Sequence, residues 1–170
     1  TALNTGEPKA IEMEKRLLAI SPAASITAIA GSYREETRAY FDLASYDCVI
    51  DAIDSIDDKL LLIRDCLRAE TTLFCSMGAA MKPDPGRIRT GLLTQATGCP
   101  LARLVRRGLR RDGVDTDIMC VYSDEPPLLS PAPEPGGRRE MGSLVHITAV
   151  FGFTLASLAV NFIVAGRSGR

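Results

Sequence analysis

The apolar residues of the chain fall alternately into helical stripes and short continuous runs. Pro8 stands where a helix can start. From Lys9 to Ile20 the residues Ile11, Met13, Leu17, Leu18 and Ile20 make a helical stripe, which Ser21-Pro22 ends. Ile26 to Ala30 predicts a short strand closing at Gly31, and Glu35 to Phe41 predicts a polar helix. Tyr46 opens a central strand in which Val49, Ile50, Ala52 and Ile53 are small or β-branched and suit burial on both faces. Ser55, Asp57 and Asp58 then offer cap and first-turn residues to a helix running to Arg68, with Leu60, Leu61, Ile63 and Leu67 on its inner side. Thr71 to Met77 is the next interior strand. Such alternation predicts parallel strands joined by right-handed crossovers.

Beyond Gly78 the pattern changes. Lys82-Pro83-Asp84-Pro85-Gly86 is a turn too short to hold a crossover helix, so Arg87 to Leu93 is expected as an antiparallel edge strand. Pro100 to Arg111 reads as a basic helix with Leu101, Leu104, Val105 and Leu109 inward, and Asp117 to Ser123 as the last strand. Residues 125–142 are rich in proline and glycine and predict a long flexible loop within one domain. Leu144 to Gly166 is apolar, with His146 as its one ionisable group, and is close to membrane-spanning length. Thr148, Gly152, Thr154, Ser157 and Asn161 interrupt it, which favours a buried core helix over a span.

At 170 residues the chain can bury one real core. A net charge of -1 provides no global field for nucleic acid, so any such contact must come from a local patch. Arg103, Arg106, Arg107, Arg110 and Arg111 are that patch, suited to RNA phosphates or equally to a solvated helix face. Five cysteines without a CxxC pair, and one histidine, argue against a zinc site of the usual kind. The cysteines suit a reducing, cytoplasmic setting as small buried apolar groups. Neither GxGxxG nor GxxxxGK[ST] is present. Candidate chemistry therefore concentrates in Tyr46 to Lys59, where a strand carries Asp51 and Asp54 to its C-terminal end. Open α/β sheets bind ligands in the crevice at that end. The same two residues also suit a strand-ending turn and a helix cap.

Four stretches together carry a resemblance: EPKAIEMEKRLLAISP, YDCVIDAIDSIDDKLLLIRDC, TTLFCSMGAAMKPDPGRIRTGLL and the terminal HITAVFGFTLAS. In this order they resemble the ThiF/MoeB/HesA superfamily, ATP-dependent carboxylate-adenylating enzymes related to ubiquitin-activating enzyme. PLARLVRRGLRRDGVD and CVYSDEPP are most similar to its branch of tRNA threonylcarbamoyladenosine dehydratases. The resemblance implies a Rossmann-like α/β fold, a mostly parallel sheet with helices on both faces and an antiparallel extension. It implies that ATP activates the carboxylate of threonylcarbamoyladenosine in tRNA as an acyl-adenylate, and that intramolecular attack closes a ring and releases AMP. Residue by residue, Lys9 falls on the lysine of the PK motif that meets the ATP phosphates. Asp54 falls on the aspartate that holds Mg²⁺ and the phosphates, a task suited to hard carboxylate oxygen. Lys59 takes a supporting cofactor-binding position, Asp51 reads as structural, and Cys120 aligns with a cysteine of the branch without being a nucleophile. The last helix becomes a core and homodimer element.

The superfamily's glycine-rich nucleotide loop, acidic ribose-binding residue and arginine upstream of the PK motif have no counterpart in this sequence, which opens on Thr1-Ala2-Leu3. Residues 1–170 are therefore expected to be the C-terminal portion of one adenylating domain, with half of the ATP site and no activity alone. Two other readings stay open. One is adenylation of the C-terminus of a small sulfur-carrier protein partner. The other is a non-enzymatic scaffold or adaptor attached to a membrane through the last helix.

Overall fold

The structure is a computed structural model and describes residues 4–115, 117–128 and 141–168. The chain forms two compact units, Thr1–Tyr40 and Phe41–Arg170.

Among the described residues the first unit holds one α-helix, α1, Lys9–Ile20, with Pro8 at its N-cap and the Ser21 N–H donating to Leu17 O at its end. Its apolar stripe is left exposed at Met13, Leu17, Leu18 and Ile20. The strand expected at Ile26–Ala30 does not form. A strand needs a ladder partner, and this segment is tied instead by the Ala28 N–H donating to the Glu14 carboxylate at 2.9 Å. The helix expected from Glu35 reduces to a single 3₁₀ turn, Arg38–Tyr40. The Thr37 hydroxyl donates to Ser32 O at 2.6 Å there, the local side-chain bonding that competes with helix.

The second unit is an open α/β sheet. Its elements are β1 (Cys48–Asp51), α2 (Ile56–Arg68), β2 (Thr72–Ser76), β3 (Ile88–Leu92), α3 (Pro100–Arg111), β4 (Met119–Ser123) and α4 (Val145–Ser168). The strand order is β1-β2-β4-β3, with β1, β2 and β4 parallel and β3 antiparallel at the edge. β3 is thus the antiparallel edge strand the sequence predicts, and its partner is β4 rather than the preceding β2.

The period-two alternation of the strands sorts their side chains between two faces. Phe74 and Val121 point to α4, where Ile147, Phe151, Leu155 and Ala159 complete a buried cluster. Full burial of Ile147, Phe151 and Leu155 removes enough apolar surface for about 1.5–3 kcal/mol each, before ordering entropy. Asp51 and Cys75, register partners on β1 and β2, point to the opposite face, toward α2. α2 buries Leu60, Leu61, Leu62, Ile63 and Cys66, and α3 packs against it.

α4 is long and apolar enough to cross a membrane, over Val145–Gly166 with mean hydropathy 2.0. It lays only one stripe on the sheet and exposes Phe153, Val160 and Val164 on the other side. It is therefore a core helix along one face only. Of the loop predicted at 125–142, residues 129–140 lie outside the described residues.

Candidate nucleotide and RNA site

β1 ends in a buried polar knot. Asp51 and Lys59 are both fully buried, and Lys59 Nζ lies 2.6 Å from Asp51 Oδ2. The ammonium also donates to the Ser76 carbonyl at 3.1 Å. The other carboxylate oxygen, Oδ1, accepts the Ile53 N–H at 2.9 Å. The Cys75 thiol donates to Asp51 Oδ2 at 3.4 Å. Burial, reinforced by the Asp51 charge, pushes that thiol well above its ordinary value, so it stays a donor. Lys59, expected among the cofactor-binding residues, is therefore committed to the interior and turns no ammonium toward solvent. Leu60, Leu61 and Ile63 fix the buried face of α2, and Lys59 in its first turn faces the same interior.

One residue past Ile53, Asp54 is exposed and has no hydrogen-bond or ion-pair partner among the described residues. It follows the C-terminal end of a parallel strand and precedes Ser55, the N-cap of α2. The partial positive charge of that helix end favours anions beside it, and the free carboxylate favours a cation. Lys9, in the other unit, is also exposed and unpartnered among the described residues. Each of the two is thus available to a ligand within its own unit.

A groove of about 390 Å³ runs between α2 and α3. It starts at Ile56 and Asp57 and continues past Leu60 and Leu104 to Arg107 and Arg111. Arg103, Arg107 and Arg110 share one exposed stripe of α3 and have no acidic partner among the described residues. Arg106 differs. It turns inward and donates to Leu93 O at 2.7 Å and Ala96 O at 2.6 Å, so it braces the turn after β3 instead of offering charge to RNA. Leu104, expected inside, is 38% exposed. The buried positions are Ala102, Val105, Gly108 and Leu109, and at Gly108 a Cβ would come within 2.4 Å of Leu60 Cδ1, so α3 needs a glycine there.

A second cleft, about 430 Å³, lies among Cys66, Leu67, Thr71, Leu73 and Asp117, at the N-terminal ends of β2 and β4. It is at the far end of the sheet from Asp54. Parallel sheets bind ligands at their C-terminal ends, so the Asp54 end carries the functional reading.

Sequence reasoning passed over Lys82. Its side chain is buried and its ammonium donates to three carbonyls, Gly98 at 3.0 Å, Ser123 at 3.4 Å, and Glu125. Burial pushes its pKa down, while the Glu125 and Asp124 carboxylates pull it up. Nothing local marks it, since its partners lie 16 to 43 positions along the chain. Gly98 is required there: its φ is +66°, and a Cβ would come within 2.4 Å of the Asp124 carbonyl oxygen.

An open α/β sheet with a parallel core and an antiparallel edge strand defines the chain as an α/β domain. The ThiF family profile matches residues 1–168, and the chain belongs to that family. It is 36% identical over 124 residues to a tRNA threonylcarbamoyladenosine dehydratase of Bacillus subtilis, covering 73% of this chain and 49% of that protein. It is 30% identical over 162 residues to tRNA threonylcarbamoyladenosine dehydratase 2 of Saccharomyces cerevisiae, covering 92% and 36%. The crystal structure of the E. coli tRNA N6-threonylcarbamoyladenosine dehydratase in complex with ATP superposes with a TM-score of 0.88 at 30% identity. That match covers all of this chain and 69% of that one. The chain spans half or less of the length of these two sequence relatives.

Proposed function

We propose that the protein carrying this chain uses ATP to dehydrate threonylcarbamoyladenosine in tRNA, closing a ring through an acyl-adenylate. The observation that carries the reading is Asp54, an exposed, unpartnered carboxylate at the end of a parallel strand, in a chain of the ThiF family. Its hard oxygens fit Mg²⁺, and the α2 N-terminus beside it fits phosphate. Mg²⁺ in that position supplies neutralisation of phosphate charge. Asp54 would hold it, and the exposed Lys9 ammonium is a phosphate-binding group within its own unit. Asp54 would act through the ion by neutralising charge where it develops, since a carboxylate is a poor electrophile until AMP becomes its leaving group. The oxygen lost from the substrate leaves on AMP, so the net change is loss of water.

The tRNA lies along α3 in this reading, with Arg103, Arg107 and Arg110 meeting backbone phosphates. The apolar face of α4 at Phe153, Val160 and Val164 fits a homodimer contact, and the substrates fit a cytoplasmic setting. Incubation with ATP, Mg²⁺ and tRNA bearing threonylcarbamoyladenosine, followed by nucleoside mass analysis, tests the function. The expected product is the nucleoside lighter by one water, formed with AMP. ATP–pyrophosphate exchange that responds to a sulfur-carrier protein and not to this tRNA would overturn it.

A further inference from the structure

Both oxygens of Asp51 are used, and they reach in two directions. Oδ2 holds Lys59, in the first turns of α2, and Oδ1 holds the Ile53 N–H, one residue before Asp54. The loop of residues 52–55 is therefore bracketed at both ends by one side chain. Lys59 extends the bracket to the end of β2 through the Ser76 carbonyl, and Cys75 joins it through its thiol. Three chain segments that form the mouth of the sheet meet at one buried carboxylate.

Stability does not explain such an arrangement. A fully buried ion pair is often replaced by apolar residues of similar volume with no loss of stability, because desolvation offsets the Coulombic attraction. What an apolar pair lacks is direction: it cannot fix the rotation of a peptide N–H next door. We infer that Asp51 and Lys59 are positioning residues, whose pair fixes the loop so that Asp54 presents its carboxylate at one place. Neither touches the ligand. The inference rests on the proposed role of Asp54 and assigns Lys59 to the support of that residue rather than to the nucleotide.

The experiment separates geometry from stability with two double variants in the protein carrying this chain. Asp51→Leu with Lys59→Met removes the pair and the acceptor for Ile53. Asp51→Asn with Lys59→Met removes the pair and keeps an acceptor oxygen. Thermal unfolding reports folding, amide hydrogen exchange reports the loop, and equilibrium binding of Mg·ATP reports the site. Both variants should fold. The Leu/Met variant should show faster exchange at Ile53 and at least tenfold weaker Mg·ATP binding than the Asn/Met variant. A folded Leu/Met variant with wild-type exchange at Ile53 and wild-type Mg·ATP affinity overturns the inference. If the unaltered protein fails to bind Mg·ATP, the proposed function fails instead. The positioning role is then decided by exchange alone: faster at Ile53 in the Leu/Met variant supports it, and unchanged exchange sinks it. Should the Leu/Met variant not fold, single Lys59→Arg, which keeps the charge and the pairing, must restore slow exchange at Ile53 relative to Lys59→Gln; equal rates would overturn the claim.

Discussion

Gly108→Ala tests the packing that seats the arginine helix against the helix following Asp54. In an exposed helix the change stabilises by about 1 kcal/mol, because glycine loses more backbone entropy than alanine. Here Gly108 is buried where α2 meets α3, and an added Cβ would stand 2.4 Å from Leu60 Cδ1, 2.9 Å from Cδ2 and 3.3 Å from Cγ. Swinging one methyl cannot relieve all three, and Leu60 is only 2% exposed, so the helices must separate or Leu60 must leave its rotamer. Overpacking of this kind costs about 1–3 kcal/mol, and setting the propensity gain of about 1 kcal/mol against it leaves a net loss of up to about 2 kcal/mol. Leu60→Ala alone should cost about 2–5 kcal/mol by leaving a cavity. In the double variant the new methyl sits where Leu60 was, so the two losses should fall short of their sum by about 1–3 kcal/mol. Urea unfolding of the four proteins measures this. A Gly108→Ala protein more stable than wild type, or losses that simply add, would refute the packing account.

Arg106→Gln should destabilise by about 1–3 kcal/mol, since it removes the side-chain donor to the Ala96 carbonyl and leaves the Leu93 carbonyl with the Ala96 N–H alone, whereas Arg107→Gln should stay within about 0.5 kcal/mol of wild type in the same urea assay. Replacing Arg103, Arg107 and Arg110 together by glutamine should weaken tRNA binding and flatten its dependence on log salt by about 0.7 for each phosphate no longer neutralised, read by filter binding at several salt concentrations. The Asp124 carboxyl is held below its ordinary value chiefly by the Arg87 hydrogen bond, and Asp117 chiefly by that from the Thr94 hydroxyl. A depressed folded pKa contributes stability above the unfolded value of about 3.9 that is lost as pH falls through the folded value. Stability should therefore drop below about pH 4, and Asp117→Asn with Asp124→Asn should shallow that drop in acid unfolding curves.

Local signals revealed the elements whose pattern and partners agree. α1 and α3 begin and end where Pro8, Ser21, Pro100 and Arg111 indicate, and β3 is antiparallel at the edge because its turn cannot hold a crossover. Ile26–Ala30 has the composition of a strand and none of the pairing, which composition cannot supply. On α3 hydrophobicity ranked Leu104 above Gly108, while the close helix approach selected for small size. Charge alone made Arg106, Arg107, Lys59 and Lys82 look alike. Their roles diverge through acceptors set by the tertiary fold: carbonyls for Arg106 and Lys82, Asp51 for Lys59, and open surface for Arg107. The position of Asp54 was legible because strand, carboxylate and helix cap are consecutive. The buried knot beneath it was not, because Cys75 and Ser76 join it from 24 and 17 positions away.

The central claim is that Asp54 holds the Mg²⁺ of bound ATP. Its most direct test is equilibrium Mg·ATP binding to the protein carrying this chain, compared with Asp54→Ala and Asp54→Asn. The account predicts at least a tenfold loss in each variant, because neither side chain offers the ion a charged carboxylate. Wild-type affinity in both variants would contradict it.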